Sequence, residues 1–332
     1  METDNQAGRP PLGREVLRDV SRSFYLSLRF LPRGFREPAG LGYLLARLSD
    51  TIADAGTLAV AERAGLLARF RELAAGLPAT GSVAQFARDL EASMNGAGLP
   101  AGERTLVART GDVFMAAAGL EGVPREAVRK VIAIIVAGQE WDLTRFEGDQ
   151  CVVLGDRNEL EHYAYQVAGC VGEFWTELAY DCRTNPAREE RGQMDDWARN
   201  YGRGLQLVNI LRDVPEDLRR GRCYVPGADP GDRAALLKAA GEWRTRAREW
   251  LDDGLRYVDA LRGFRLKVAS GLPVLLGVQT LDLLDGASWD DWERGVKVTR
   301  RDVKRTVLRA VALSSPLLPG RWTPQDGSSG RL

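Results

Sequence analysis

Apolar residues recur at the spacing of an α-helix along almost the whole chain, and the alternating pattern of a β-strand is scarce. No internal repeat or mid-chain linker interrupts this pattern. We therefore predict an all-α fold with one domain over residues 12–313, between disordered segments at 1–11 and 314–332. The predicted helices span residues 11–30, 40–55, 58–76, 82–94, 101–119, 124–146, 159–182, 186–214, 231–262, 264–285 and 300–313. The loops that bear on function are predicted at residues 31–38, 147–158 and 219–230.

The composition narrows the class of protein. The chain has 46 basic and 46 acidic residues, and this balance argues against a partner bound through nucleic-acid phosphates. Its four cysteines form no C-x-x-C pair, which disfavours a zinc site or a disulfide scaffold and favours the cytoplasm. The first residues lack the apolar core of a signal peptide, and the apolar runs 131–137 and 272–278 are too short to cross a bilayer. Any membrane contact is therefore expected to be peripheral, at the inner face.

Two pairs of aspartates stand at i,i+4 spacing: Asp50 with Asp54, and Asp213 with Asp217. On a helix each pair presents two like charges on one face, one turn apart, which costs stability unless a cation lies between them. The chain contains 25 aspartates, so random placement alone predicts about two such pairs. The neighbouring residues must therefore decide whether the pairs are functional.

The second pair continues a polar stripe. Gln206 and Asn209 precede Asp213 and Asp217 at steps of three, four and four, so the four oxygen-bearing side chains share a helical face. A solvated face usually mixes Lys and Glu, whereas a row of amides and acids suits ligation of a hard cation such as Mg²⁺ with a phosphate. Pro215 lies inside this pair and is expected to kink the helix or make it restart.

The first aspartate pair shares its helix face with a tyrosine and an arginine rather than with amides. Tyr43, Arg47, Asp50 and Asp54 share a face by the same spacing. Arg47 either forms an ion pair with Asp50 or, in a diphosphate site, binds phosphate oxygens with its planar fork. Both pairs fall near the carboxyl ends of their predicted helices, where the helix dipole also favours a cation.

Four segments together resemble the squalene/phytoene synthase family: SRSF, YLLARLSDTIAD, YAYQVAGCVG and GLQLVNILRDVPEDLRRGRCYVP. The similarity extends over about residues 15–310. It implies a single-domain isoprenoid-synthase helical bundle around a central cavity, with Mg²⁺ and prenyl diphosphates held between the two aspartate pairs. The implied metal ligands are Asp50, Asp54, Asn209, Asp213 and Asp217. The implied substrate-binding residues are Ser21, Ser23, Tyr43, Arg47, Gln206, Asn209, Arg222 and Tyr224. Tyr163 is the implied proton-handling residue, acting with the four aspartates.

The resemblance implies a Mg²⁺-dependent head-to-head (1'-1) condensation of two farnesyl diphosphates through presqualene diphosphate to squalene, with NADPH as reductant. Phytoene synthesis from two geranylgeranyl diphosphates, without a reductant, is an alternative. An enzyme that stops at presqualene diphosphate or hydroxysqualene is another, and an inactive helical lipid-binding scaffold is the non-enzyme alternative. Peripheral membrane contact would serve product release, and the sequence carries no sign of the oligomeric state.

Overall fold

A computed structural model describes residues 12, 15–20, 24–76, 80–148, 150–315 and 322. Within these residues the fold is almost entirely helical, as the apolar spacing predicts. The first helices are α1 (Glu15–Val20), α2 (Phe24–Phe30), α3 (Arg33–Ala53), α4 (Val60–Ala75), α5 (Thr80–Ser93), α6 (Ala101–Ala108), α7 (Thr110–Ala118) and α8 (Gly122–Arg145). The later helices are α9 (Arg157–Ala164), α10 (Cys170–Cys182), α11 (Arg191–Arg219), α12 (Arg233–Ala260), α13 (Phe264–Asp285), α14 (Trp289–Arg294) and α15 (Arg300–Ser314). The predicted disordered ends at 1–11 and 314–332 lie outside the described residues, apart from Ser314, Ser315 and Trp322. Ser314 is the last residue of α15, Ser315 is its C-cap, and the side chain of Trp322 is buried.

α3 begins seven residues earlier than predicted, because the segment expected to be a loop at 31–38 is mostly helical. Pro32 occupies the N-cap position, and Pro38 is accommodated inside the helix. The ring of Phe35 is buried and meets the ring of Trp175 on α10, with 4.8 Å between centroids. Burial of this aromatic side chain stabilises the early turns more than Pro38 weakens them.

α11 is continuous past Pro215 and ends at Arg219, so the prediction that the helix ends at 214 is wrong. A proline removes one hydrogen bond to the preceding turn. Val214 and Pro215 are both buried, and this packing offsets the lost bond. The Asp213–Asp217 spacing is therefore that of an uninterrupted helix.

Two short strands occur inside segments that were predicted as loops. β1 (Val152–Val153) and β2 (Arg222–Cys223) pair in parallel, with Val152 opposite Arg222. The backbone N–H of Leu154 donates to the carbonyl of Cys223 at 3.0 Å. This pairing joins the segment after α8 to the segment after α11, and it fixes the position of Arg222 beside the end of α11.

α11 runs through the centre of the bundle, and small residues let its neighbours approach closely. A Cβ at Gly172 of α10 would overlap the carbonyl of Ala198. Likewise a Cβ at Gly202 would overlap the carbonyl of Ala168, which lies in a π-helical segment, Tyr165–Gly169, between α9 and α10. π-Helical turns reorient the side chains that follow them and are frequent at functional sites.

α13 is the one described helix whose length and apolar composition would suit a membrane span. Most of it is buried inside the protein, including 61% of its most apolar window. We therefore assign α13 as a core helix.

Candidate active site

A polar cavity of about 400 Å³ lies where the carboxyl ends of α3 and α11 meet α8 and β2. It brings together most of the residues that the sequence singles out, although they are separated by up to 177 positions. The predicted site residues that line it are Arg47, Asp50, Asp54, Tyr163, Gln206, Asn209, Asp213, Asp217, Arg222 and Tyr224. Both aspartate pairs therefore face one space.

The first aspartate pair sits at the end of α3. Asp50 is in the last turn, and Asp54 is the C-cap residue, whose N–H donates to the carbonyl of Asp50. Oδ1 of Asp50 accepts a 2.5 Å hydrogen bond from Nε2 of Gln139 on α8. Burial, together with the neighbouring charge of Asp54, raises the pKa of Asp50 to about 6. The charge of Arg47 and the hydrogen bond from Gln139 act in the opposite direction but do not offset the burial.

The second pair has unequal members. Both carboxylate oxygens of Asp213 accept hydrogen bonds from the guanidinium of Arg212, at 2.8 and 2.5 Å. Asp217 has no ion pair among the described residues. Burial and the charge of Asp213 raise the pKa of Asp217 to about 7. Asp217 is therefore the carboxylate of this pair that most needs a cation.

The arginines at the polar cavity do not supply that cation, because each already pairs with one carboxylate. The pairs are Arg47 with Glu103 (2.5 Å), Arg212 with Asp213 (2.5 Å), Arg220 with Glu216 (2.6 Å) and Arg222 with Asp142 (2.8 Å). The expected pairing of Arg47 with Asp50 is thus replaced by a pairing across α3 and α6. Among the described residues, Asp50, Asp54 and Asp217 are left without an ion pair.

A tyrosine cluster forms the wall below β2. The hydroxyl of Tyr224 donates to Oδ1 of Asp142 at 2.5 Å, and Arg222 donates to Oδ2 of the same carboxylate. The ring of Tyr163 stacks on that of Tyr224, with 5.2 Å between centroids and 17° between planes. Burial, with Tyr224 and Asp142 beside it, raises the pKa of Tyr163 well above its ordinary value. Tyr163 is therefore a neutral phenol in the folded protein.

Sequence reasoning missed Gln139 and Asp142, which hold Asp50, Arg222 and Tyr224 in place. They stand three residues apart on α8, and both are buried. The available signal was two polar residues on the apolar side of a helix, in the segment GQEWDL. The polar cavity also includes Arg212 and Arg220, which were not predicted.

Three predicted substrate-binding residues are not placed at the polar cavity. Ser21 and Ser23 lie outside the described residues. The hydroxyl of Tyr43 donates to the carbonyl of Val20 at 3.1 Å, and Tyr43 does not line the polar cavity. Tyr43 therefore joins α3 to the end of α1.

An apolar cavity of about 300 Å³ adjoins the polar one, and both are lined by Val167, Gln206 and Asn209. Its walls come from the π-helical segment, α10, α11 and α13. Trp175 is one of the lining residues, and its Nε1 donates to Oγ of Ser270 at 2.9 Å. The two cavities together make a space that is charged at one end and apolar at the other.

The donor set at the polar cavity suits Mg²⁺ shared with a phosphate ligand. Among the described residues, no three acidic, histidine or cysteine side chains lie close enough to hold a metal ion alone. Mg²⁺ commonly binds one or two carboxylates, keeps several waters and completes its shell with substrate phosphates. Asp50, Asp54 and Asp217, with raised carboxyl pKa values at two of the three, fit that mode.

The chain belongs to the squalene/phytoene synthase family, whose model matches residues 17–302. A phytoene synthase from Thermus thermophilus is 31% identical over 195 residues, which are 54% of this chain and 60% of that protein. A probable squalene synthase from Neurospora crassa is 25% identical over 306 residues, 88% of this chain and 60% of that protein. The chain thus spans about 60% of the length of these two curated relatives.

The structure of TcSQS in complex with the ligand BPH1237 shares the fold. It matches with a TM-score of 0.69 and 23% identity, covering 94% of this chain and 92% of that one. At this identity the match establishes the fold, and it confirms the predicted isoprenoid-synthase bundle.

Proposed function

We propose that the protein couples two prenyl diphosphates head to head at the polar cavity. One observation carries this proposal: carboxylates from the ends of α3 and α11 line one cavity, and three of them lack an ion pair among the described residues. A site that only stabilised the fold would pair these charges, since an unpaired buried carboxylate is costly. A Mg²⁺-diphosphate ligand would supply the missing positive charge.

The metal-facing residues of this proposal are Asp50, Asp54, Asp213 and Asp217, with Asn209 beside them. Bound Mg²⁺ would neutralise the diphosphate and make it a better leaving group. Around it, Gln139 orients Asp50, and Arg212 holds Asp213. Loss of diphosphate leaves an allylic cation, and the double bond of the second substrate attacks it.

Proton removal then closes the cyclopropane ring of presqualene diphosphate. We assign this step to Tyr163 together with the departing diphosphate. The high pKa of Tyr163 makes the phenol a poor base on its own, so its oxygen guides the proton toward the stronger diphosphate acceptor. Arg47, Gln206, Arg222 and Tyr224 line the polar cavity and are assigned to the diphosphate end of the substrate.

The prenyl chains are assigned to the apolar cavity, where water would not quench the cation. Along α11 this cavity extends from Asn209 to Ala198, which is about 16 Å at about 1.5 Å per residue. An extended farnesyl chain is about 14 Å long, and a geranylgeranyl chain is about 5 Å longer, for C–C bonds of about 1.5 Å. The length favours farnesyl diphosphate, the C15 substrate.

Two C15 substrates give presqualene diphosphate, and a second ionisation with hydride transfer from NADPH gives squalene. We propose this complete reaction. Phytoene synthesis is the second candidate, because relatives such as the Thermus thermophilus protein bear that name. It requires two C20 substrates and no hydride.

The test is an incubation of the purified protein with Mg²⁺ and either farnesyl or geranylgeranyl diphosphate, with and without NADPH, followed by mass spectrometry of the extract. Squalene from farnesyl diphosphate only when NADPH is present supports the proposal. Phytoene from the C20 substrate would replace it with the second candidate. Presqualene diphosphate or hydroxysqualene despite NADPH would show that the reaction stops early. Binding without any product from either substrate would support the inactive lipid-binding scaffold.

A further inference from the structure

The outer surface of α15 and the residues before it are strongly basic. Residues 297–309 contain six lysines and arginines and one aspartate, in a chain whose total charges balance. All six basic side chains are exposed. We call this surface the basic face of α15, and it comprises Lys297, Arg300, Arg301, Lys304, Arg305 and Arg309.

The arrangement concentrates positive charge in rows. Arg301, Arg305 and Arg309 follow one another at i,i+4 spacing, and Arg300 and Lys304 form a second row beside them. Like charges one turn apart repel each other and destabilise a helix. Among the described residues, the basic face makes one ion pair, between Arg305 and Asp302, and its N–O distance is long, at 3.9 Å. A polyanionic partner would offset this repulsion.

A large apolar side chain stands within the same face. Leu308 continues the row of Arg300 and Lys304, and it is 70% exposed, more than the other exposed large apolar residues described. A helix face that combines several cations with an exposed leucine suits the interface of a bilayer, where cations meet lipid headgroups and the leucine enters the acyl boundary. A nucleic-acid backbone offers no comparable apolar layer.

The basic face also lies close to the proposed reaction chamber. α15 packs on α13, and the hydroxyl of Thr306 exchanges hydrogen bonds with Gln279 at 2.8 and 3.1 Å. Ser270 and Pro273 of α13 line the apolar cavity. α13 thus contacts both α15 and the cavity in which a water-insoluble hydrocarbon would form, an argument that rests on the proposed function.

We propose that the basic face of α15 docks the protein on an anionic phospholipid bilayer. Clusters of four to eight basic residues bind acidic membrane surfaces, and each cation near the surface strengthens binding about fivefold. Loss of three cations is therefore expected to weaken binding about a hundredfold.

The test is co-sedimentation of the full-length protein with vesicles of phosphatidylcholine alone or of equal parts phosphatidylcholine and phosphatidylglycerol. The wild-type protein is expected to co-sediment with the anionic vesicles and not with the neutral ones, and added salt should weaken this binding. The triple variant Arg301→Gln/Arg305→Gln/Arg309→Gln should lose about a hundredfold in binding. Leu308→Ser should weaken it further without changing the charge.

A matched control removes the same charge from another surface: Arg69→Gln/Arg88→Gln/Arg104→Gln, on α4, α5 and α6. This control should bind anionic vesicles nearly as well as wild type. Equal losses in both triple variants, or no binding of wild type, would overturn the proposal. Binding of wild type to double-stranded DNA in preference to the vesicles would also overturn it. The readout needs no turnover, so a failed assay for prenyl coupling leaves this test intact.

Discussion

Nε2 of Gln139 donates a 2.5 Å hydrogen bond to Oδ1 of Asp50, joining α8 to the end of α3. The bond fixes one lone pair of Asp50 and leaves its other oxygen for the polar cavity. A residue that orients a metal ligand in this way affects the affinity for the metal without touching the reacting atoms.

We expect Gln139→Leu to weaken Mg²⁺ binding in the presence of inorganic pyrophosphate by about tenfold. Mutation of a residue that hydrogen-bonds to a metal ligand typically lowers the affinity for the metal by about 10–100-fold. Isothermal calorimetry measures the change. Gln85→Leu, an exposed glutamine on α5, is the control and should leave the affinity as it is. An unchanged affinity in Gln139→Leu would mean that Asp50 needs no orienting partner.

Asp142 joins Arg222 and Tyr224 within the tyrosine cluster. Asp142→Asn leaves the partly buried Arg222 without its carboxylate, and we expect a loss of about 3 kcal/mol in the free energy of unfolding. Tyr224→Phe removes one hydrogen bond to the same carboxylate and should cost about 1–2 kcal/mol. Urea unfolding monitored by circular dichroism gives both values. Equal stability of Asp142→Asn and wild type would show that the ion pair does not support the cluster.

The raised pKa values predict how stability depends on pH. Asp50 and Asp217 titrate at about 6 and about 7 in the folded protein, against about 3.9 in the unfolded chain. The folded state therefore binds more protons between these values, so this contribution to stability is full below about pH 4 and is lost as the pH rises through about 7. Without ligands, the variant Asp50→Asn/Asp217→Asn should lack this decline.

Mg²⁺ with pyrophosphate should act in the opposite direction, because protons compete for the same carboxylates. The rise in Tm on adding both ligands is expected to be larger at about pH 8 than at about pH 5. Differential scanning calorimetry tests this. A ligand-induced rise in Tm that is equal at both pH values would contradict the assigned carboxylates.

Trp175 lines the apolar cavity, and its ring is held in place by a hydrogen bond to Ser270 and by contact with the ring of Phe35. Trp175→Ala should lengthen the cavity and raise kcat/KM for the C20 substrate relative to the C15 substrate by at least about tenfold. Trp175→Phe keeps an aromatic wall and should retain the C15 preference. Competition between the two substrates, followed by mass spectrometry of the products, measures the ratio. If both variants show the same preference between the C15 and C20 substrates, residues other than Trp175 limit the length of the prenyl chain.

The helical class of the fold and the two aspartate pairs were accessible from the sequence, because both depend on local spacing. Within the helix predicted at 11–30, the described residues form two helices, at 15–20 and 24–30. The helix predicted at 101–119 is likewise two helices, which meet at Arg109. The early start of α3 depends on Phe35 meeting Trp175, which are 140 positions apart. Such a tertiary contact overrides the local loop signal of two prolines.

The polar cavity was harder to predict from the sequence than the residues that line it. Gln139 lies 89 positions from Asp50, and Asp142 lies 80 from Arg222, so no local pattern connects them. The pairing of Arg47 with Glu103 likewise depends on α6 packing beside α3. Local spacing identifies which side chains share a helix face, whereas the packing of helices decides which of those faces meet.

The central claim is that the acidic ends of α3 and α11 form one Mg²⁺-diphosphate site. Its most direct test is calorimetric binding of farnesyl thiodiphosphate, a non-ionising analogue, to wild type, Asp50→Asn, Asp217→Asn and the exposed control Asp290→Asn. We predict binding by wild type and the control only when Mg²⁺ is present, and loss of at least about a hundredfold in affinity in each of the two site variants. Binding that is independent of Mg²⁺, or a loss in one site variant and not the other, would contradict a single shared site.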